Sequence, residues 1–230
     1  MTSCEFQERL SKRAQKANVS LTAPVVGRLE AYYRLLARWN TKINLTALQL
    51  GELTDSAVDR LLLEPLAAAR FMVDSPLVWF DLGSGGGSPA IPLKIVRPSA
   101  RLIMIESKVR KAAFLRETVR MLGLENASVE NARFEDIAAR TSVTGTADLA
   151  TVRAVKTDKE LFRTSRALLR EGGRLMLFSS SNTKVATPSG FRLLEAARLR
   201  GPGSSQVVAY ARAEVPGDVP RETKAASQTR

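Results

Sequence analysis

Apolar positions change their rhythm once along this chain, near residue 75, and that change divides it. Before it, Val25, Leu29, Tyr32, Leu36, Trp39 and Ile43 follow one another at intervals of 4, 3, 4, 3 and 4 residues. Such spacing lays an apolar face along one side of a helix and turns Arg28, Arg34 and Arg38 elsewhere. The face reads as core packing. Asn44-Leu45-Thr46 ends this helix, and Thr54 or Asp55 is placed to cap the next, which runs through Leu61–Phe71. Residues 1–75 are therefore predicted to be a helical appendage. From Leu77 onwards short apolar runs alternate with helical periods. Strands are predicted near Leu77–Leu82, Leu102–Glu106, Ser128–Asn131, Leu149–Val152 and Leu175–Phe178, with a closing strand at Gln206–Arg212. Helices are predicted at Ala90–Val96, Lys108–Leu122 and Lys159–Leu169, the last closed by Gly172-Gly173, and again at Phe191–Leu199. The alternation predicts an α/β domain over 76–212 built on a parallel sheet. Pro216, Gly217, Pro220 and the polar end predict a frayed tail over 213–230.

One junction carries more information than the rest. The apolar run Leu77-Val78-Trp79-Phe80-Asp81-Leu82 breaks at once into Gly83-Ser84-Gly85-Gly86-Gly87, and a predicted helix follows. Glycines there let backbone approach a ligand where side chains would collide, and the helix start offers unpaired N–H groups. The dinucleotide pattern G-x-G-x-x-G is met at Gly83 and Gly85 but not at Ser88, which disfavours a nicotinamide enzyme. Glu106 ends the next predicted strand, where a carboxylate accepts hydrogen bonds from ribose hydroxyls.

Composition narrows the chemistry. The 230 residues contain no histidine and a single cysteine, Cys4, in an N-terminus expected to be mobile. Histidine bases, histidine metal sites, internal disulfides and cysteine clusters are thereby excluded, and no metal site is predicted. No apolar run approaches the roughly 20 residues that cross a bilayer, and the N-terminus lacks a secretory core. A cytoplasmic protein without a membrane partner is expected. Lys and Arg number 35 against 23 Asp and Glu, and the excess clusters. Eight basic and two acidic residues lie between Lys94 and Arg120, seven and three between Arg153 and Arg174. A polyanionic partner is the natural reading of such clusters.

The ordered combination of motifs resembles a family. Asp81-Leu82-Gly83-Ser84-Gly85-Gly86-Gly87 with Glu106 resembles class I S-adenosylmethionine-dependent methyltransferases, which have a Rossmann-like fold. More narrowly, the chain resembles the bacterial guanine-N7 methyltransferases of 16S ribosomal RNA. The matching pieces are Trp39-Asn40, Lys42-Ile43-Asn44-Leu45-Thr46, DLGSGGGSPAIPL, IVRP, Glu106-Ser107 and Lys111-Ala112-Ala113-Phe114-Leu115-Arg116. Arg133-Phe134-Glu135-Asp136 and Val152-Arg153-Ala154-Val155 complete them. The resemblance implies S-adenosyl-L-methionine as cofactor, bound by Asp81 and, on its methionine side, by Gly83, Ser84, Gly85 and Ser88. It implies Glu106 at the ribose, Phe134 and Glu135 at the adenine, and Arg153 beside the transferable methyl as the catalytic residue. The chain departs from the family at Ser88 (usually bulky and apolar), at Ala90 (usually glycine) and at Asp59–Leu66, which has no histidine. Ser179-Ser180-Ser181 stand where a lysine-glycine pair is common.

Guanine N7 already exposes a free lone pair, so its methylation needs alignment rather than a base. A chain without histidine suits that reaction. Under this reading Lys94, Arg97, Lys108, Arg110 and Lys111 are candidate phosphate contacts on ribosomal RNA or the small subunit, and the protein acts as a monomer. The alternatives are a methyltransferase for a small molecule or protein, and an RNA-binding paralogue that has lost catalysis.

Overall fold

A computed structural model describes residues 2–72, 77–180, 182–183, 185–199 and 205–213. The predicted tail from 214 onwards lies outside them, while Ala213 closes the described chain. Helix α1 (Ser3–Ala17) starts at Thr2, whose hydroxyl accepts from Glu5 N while the Glu5 carboxylate accepts from Thr2 N. The N-terminus is thus a capped helix, and Cys4 is an exposed residue on it. Phe6, Leu10 and Ala14 dock it onto α2 (Ala23–Asn40), the helix foreseen from the heptad-like spacing. Thr54 caps α3 (Asp55–Val58), which continues as a π-helical turn (Asp59–Leu63), α4 (Glu64–Ala68) and a 3-10 turn (Ala69–Phe71).

Then come β1 (Val78–Leu82), α5 (Ala90–Val96), β2 (Arg101–Ile105), α6 (Val109–Leu122), β3 (Ala127–Glu130), α7 (Phe134–Ala138) and β4 (Ala147–Arg153). After α8 (Lys159–Leu168) follow β5 (Leu169–Ser180), β6 (Phe191–Leu199) and β7 (Ser205–Arg212). The seven strands lie in the order β3-β2-β1-β4-β5-β7-β6, parallel except for β7.

Phe191–Leu199 corrects an expectation: it is a strand, not a helix. Its sequence favours a helix, but pairing along β7 decides, as β preference depends on neighbours more than on intrinsic propensity.

Alternation along the strands feeds two cores. Trp79, Leu102 and Met104 face α1–α6, whereas Phe80, Leu82, Ile103 and Ile105 face α7 and α8. The appendage shares the first core, which runs without a break from Phe6 to the sheet. It is one wall of the domain rather than a separate unit.

Candidate functional site

Strand register assembles the site. Leu82 pairs with Ile105 of β2 on one side and with Val152 of β4 on the other. The residues that follow, Gly83 and Glu106 just past their strands and Arg153 at the last position of β4, therefore stand side by side. They do so at the C-terminal edge where strand order reverses, the place at which open α/β sheets bind ligands.

The turn after β1 is built of backbone. Gly83, Gly85 and Gly87 have φ of 72°, 51° and 85°, a region that side chains disfavour. Gly83 N and Ser84 N donate to Ile105 O at 2.9 and 3.0 Å. A Cβ on Gly83 would sit 2.7 Å from Val155 Cγ2, and one on Gly87 2.8 Å from Ile91 Cγ1. The appendage closes on the same turn: Tyr32 Oη donates to Gly86 O at 2.6 Å, and Asn40 Oδ1 accepts from Leu45 N and Thr46 N, shaping a loop beside it. Glu106 is buried, and its two carboxylate oxygens accept from Gly85 N (2.9 Å) and Lys108 N (2.8 Å). Each oxygen keeps a second lone pair for a hydroxyl.

These groups border a cleft of about 750 Å³, which Phe134, Glu135, Arg153 and Ser88 also line. A bare turn, a fixed carboxylate at a strand end and a bordering aromatic ring fit the nucleoside cofactor implied by the sequence, and the volume is in the range of cofactor sites.

Arg153 is held more tightly than its sequence suggests. Nη2 lies 2.9 Å from Glu64 Oε2, Nη1 donates to the Arg60 carbonyl and, at 3.2 Å, to Ser88 Oγ, and the guanidinium lies 4.6 Å from the Phe178 ring centroid. Burial brings its pKa down to about 10, opposed by Glu64, so it stays charged at neutral pH. Burial likewise raises the pKa of Glu64, opposed by Arg153. Pro65 explains why carbonyls are available: it has no N–H to return to the Arg60 or Leu61 carbonyl, and the π-helical turn leaves them to Arg153 and Ser88 Oγ (3.0 Å).

Several expected site residues lie elsewhere. Asp81 does not line the cleft; it is buried beneath the turn and accepts from Thr151 Oγ1 at 2.5 Å, which in turn accepts from Trp79 Nε1 at 2.8 Å. Its burial lifts its pKa to about 6 despite the Thr151 bond. Lys94 is 1% exposed, and its Nζ donates to Pro98 O (2.7 Å) and Ala100 O (2.5 Å), so it cannot reach a phosphate. Arg97 is half-buried at the far end of α5 and donates to Ala69 O. Lys108 and Lys111 do border the cleft, and Arg110 is exposed between them. Ser84 and Ser88 line it as expected, though Ser88 spends its hydroxyl on Leu61 and Arg153. Sequence reasoning missed Tyr32 and Glu64. Pro65 inside the α3–α4 run was the available signal for the second.

Comparison with known proteins adds to this geometry. The family model described as rRNA small subunit methyltransferase G matches residues 26–187. A protein of that description from Stenotrophomonas maltophilia is 37% identical over 190 residues, 81% of this chain and 85% of its own. Another, from Xanthomonas campestris, is 36% identical over 194 residues, 83% and 85% of the two chains. Among solved structures, an S-adenosylmethionine-dependent methyltransferase from Aquifex aeolicus superposes with a TM-score of 0.54 at 15% identity, over 68% of this chain and 93% of that one. TrmN from Thermus thermophilus gives 0.51 at 20% identity, over 64% and 48%. At such identities the two structures bear on the fold alone.

Proposed function

The chain belongs to the rRNA small subunit methyltransferase G family and is an S-adenosylmethionine-dependent methyltransferase of ribosomal RNA, and we propose that the atom it methylates is N7 of a guanine in the small-subunit RNA. The observation that carries this is the row of Gly83, Glu106 and Arg153 across the switch point, with no proton-accepting histidine anywhere in the chain.

When bound, the cofactor supplies an electrophilic methyl group on a sulfonium. The chain's residues do the rest by placement. Gly83, Ser84 and Gly85 offer a floor without side-chain obstruction, Glu106 accepts from the ribose hydroxyls, and Phe134 and Glu135 flank the adenine. Arg153 has five N–H groups, of which three are committed to Glu64, Arg60 and Ser88. The remaining donors suit guanine O6, and a hydrogen bond there orients the base with its N7 lone pair towards the methyl. No proton has to move. N7-methylguanine is cationic, and the buried Glu64 carboxylate offsets the charge of Arg153 so that the product does not form beside an isolated cation.

In this reading Lys108, Arg110 and Lys111 hold phosphates around the cleft, which is supported by their position at its border or exposed beside it, and Lys94 and Arg97 take no part. Among the described residues no helix is long and apolar enough to cross a membrane, and no group of His, Cys, Asp or Glu could hold a metal ion. The protein is read as a cytoplasmic monomer working where its RNA substrate is made. Mass-spectrometric mapping of small-subunit RNA from a deletion strain, before and after incubation with the protein and cofactor, tests the reading. Gain of one methyl on guanine N7 is expected; a methyl on another atom overturns it.

A further inference from the structure

A second cavity opens on the α8 face of the sheet, about 940 Å³ in volume. Its origin is topological. β5 and β6 are parallel, because each pairs antiparallel with β7 between them, and parallel strands are usually joined by a helix that covers the sheet. Here only residues 181–190 make the connection, and their described part contains no helix. It lies against β7 instead: Gln206 Nε2 donates to Thr183 O, and Tyr210 Oη to Ala186 O, both at 2.8 Å. A groove is left between this segment and α8.

The groove is continuous with the methyl-transfer cleft, since Ala154 and Val155 border both. Its apolar wall includes Phe162, which meets Tyr210 edge-on with ring centroids 6.4 Å apart. Four cations border it, Lys159, Arg163, Arg166 and Arg212; of the acids, Asp158 caps α8 and pairs with Lys156, and Glu160 pairs with Arg163 on the exposed side of α8, which leaves the cations in excess. The Nε atoms of Arg166 and Arg212 are buried without a hydrogen-bond partner, although Arg212 Nη1 donates to Leu169 O; a buried donor left unpaired is uncommon.

We propose that this groove holds the single-stranded ribosomal RNA next to the target guanine, with bases against Phe162 and phosphates on the arginines and Lys159. The proposal rests on the rRNA methyltransferase reading. Chemistry on a base takes it out of its stack, and its neighbours then need other surfaces. Aromatic side chains beside a cationic track are how proteins hold unpaired RNA. An apolar peptide would not account for four cations.

The test uses the full chain, S-adenosylmethionine and small-subunit RNA from a strain lacking the gene. Exchanging the exposed pair, Lys159→Glu with Arg163→Glu, is expected to raise the KM for RNA about tenfold while the Kd for the cofactor stays within twofold. A photoreactive residue in place of the exposed Thr183 is expected to cross-link to RNA. An unchanged KM overturns the groove assignment. So does cross-linking confined to a protein, to a second copy or to residues 214–230. A wild-type protein that transfers no methyl to this RNA overturns the functional reading itself, and that failure is seen before any variant is made.

Discussion

Glu64 and Arg153, 89 positions apart in sequence, form an ion pair at 2.9 Å with side chains only 1% and 8% exposed. It joins the helical appendage to the end of β4, so the residue assigned to the target base is held from outside the sheet that carries it. Removing one partner of a buried pair leaves the other charge stranded, which costs about 3–5 kcal/mol.

Glu64→Gln should therefore lower stability by about 3 kcal/mol in urea unfolding, the low end because glutamine keeps an acceptor oxygen. Arg153 would lose its aim, and a misplacement near 1 Å costs about a hundredfold in turnover. Cofactor affinity should hardly change, because Glu64 does not border the cleft. Wild-type turnover in this variant would remove Glu64 from the positioning of Arg153.

Glu106→Ala should weaken the cofactor. It removes the acceptor proposed for the ribose hydroxyls and also releases Gly85 N and Lys108 N, loosening the turn. Hydrogen bonds to a charged group contribute about 1.5–3 kcal/mol each, so titration calorimetry should show at least a tenfold rise in Kd. The fold should persist, since the site lies beyond the strand's last pair. An unchanged Kd would end the ribose assignment.

The sheet and the cleft were legible for a simple reason: both are written locally. Strand, glycine turn and terminal acid stand in sequence at Trp79–Gly87 and at Leu102–Glu106, and register then sets them level. Glu64 and Tyr32 were not legible, because their roles depend on which helix lands on the turn. Asp81 stands in the motif that carries the resemblance, but its carboxyl turns beneath the glycine turn to Thr151; for Lys94 residue type does not reveal exposure, because a lysine can bury its stem and satisfy its ammonium on carbonyls. Phe191–Leu199 failed for the converse reason, a helical sequence captured by a neighbouring strand.

Asp81 makes stability fall with pH. Its carboxyl has a pKa of about 6 when folded against 3.8 ordinarily, because burial disfavours the charge. A raised value favours the folded state below 3.8, and the benefit is lost as pH rises through 6. Asp81→Asn keeps an acceptor for Thr151 but cannot ionise. Its stability relative to wild type should improve by about 3 kcal/mol between pH 3.5 and pH 7.5. Denaturant unfolding at the two pH values measures this; parallel curves for the two proteins would show that Asp81 does not titrate in that window.

Lys94 and Lys111 separate structure from RNA contact. The Lys94 ammonium bridges Pro98 O and Ala100 O, closing the turn that leads into β2. Lys94→Met matches its length but strands both carbonyls, so a loss of about 1–3 kcal/mol is expected, with the KM for RNA unchanged. Lys111, at the cleft border, should behave in the opposite way. Lys111→Glu should leave the unfolding midpoint nearly fixed, raise the KM for RNA and flatten the salt dependence of binding by about one phosphate contact. Filter binding at two salt concentrations, alongside thermal unfolding, reads both variants. A Lys94→Met protein that folds as well as wild type but binds RNA poorly would reverse the assignment and return Lys94 to the RNA surface.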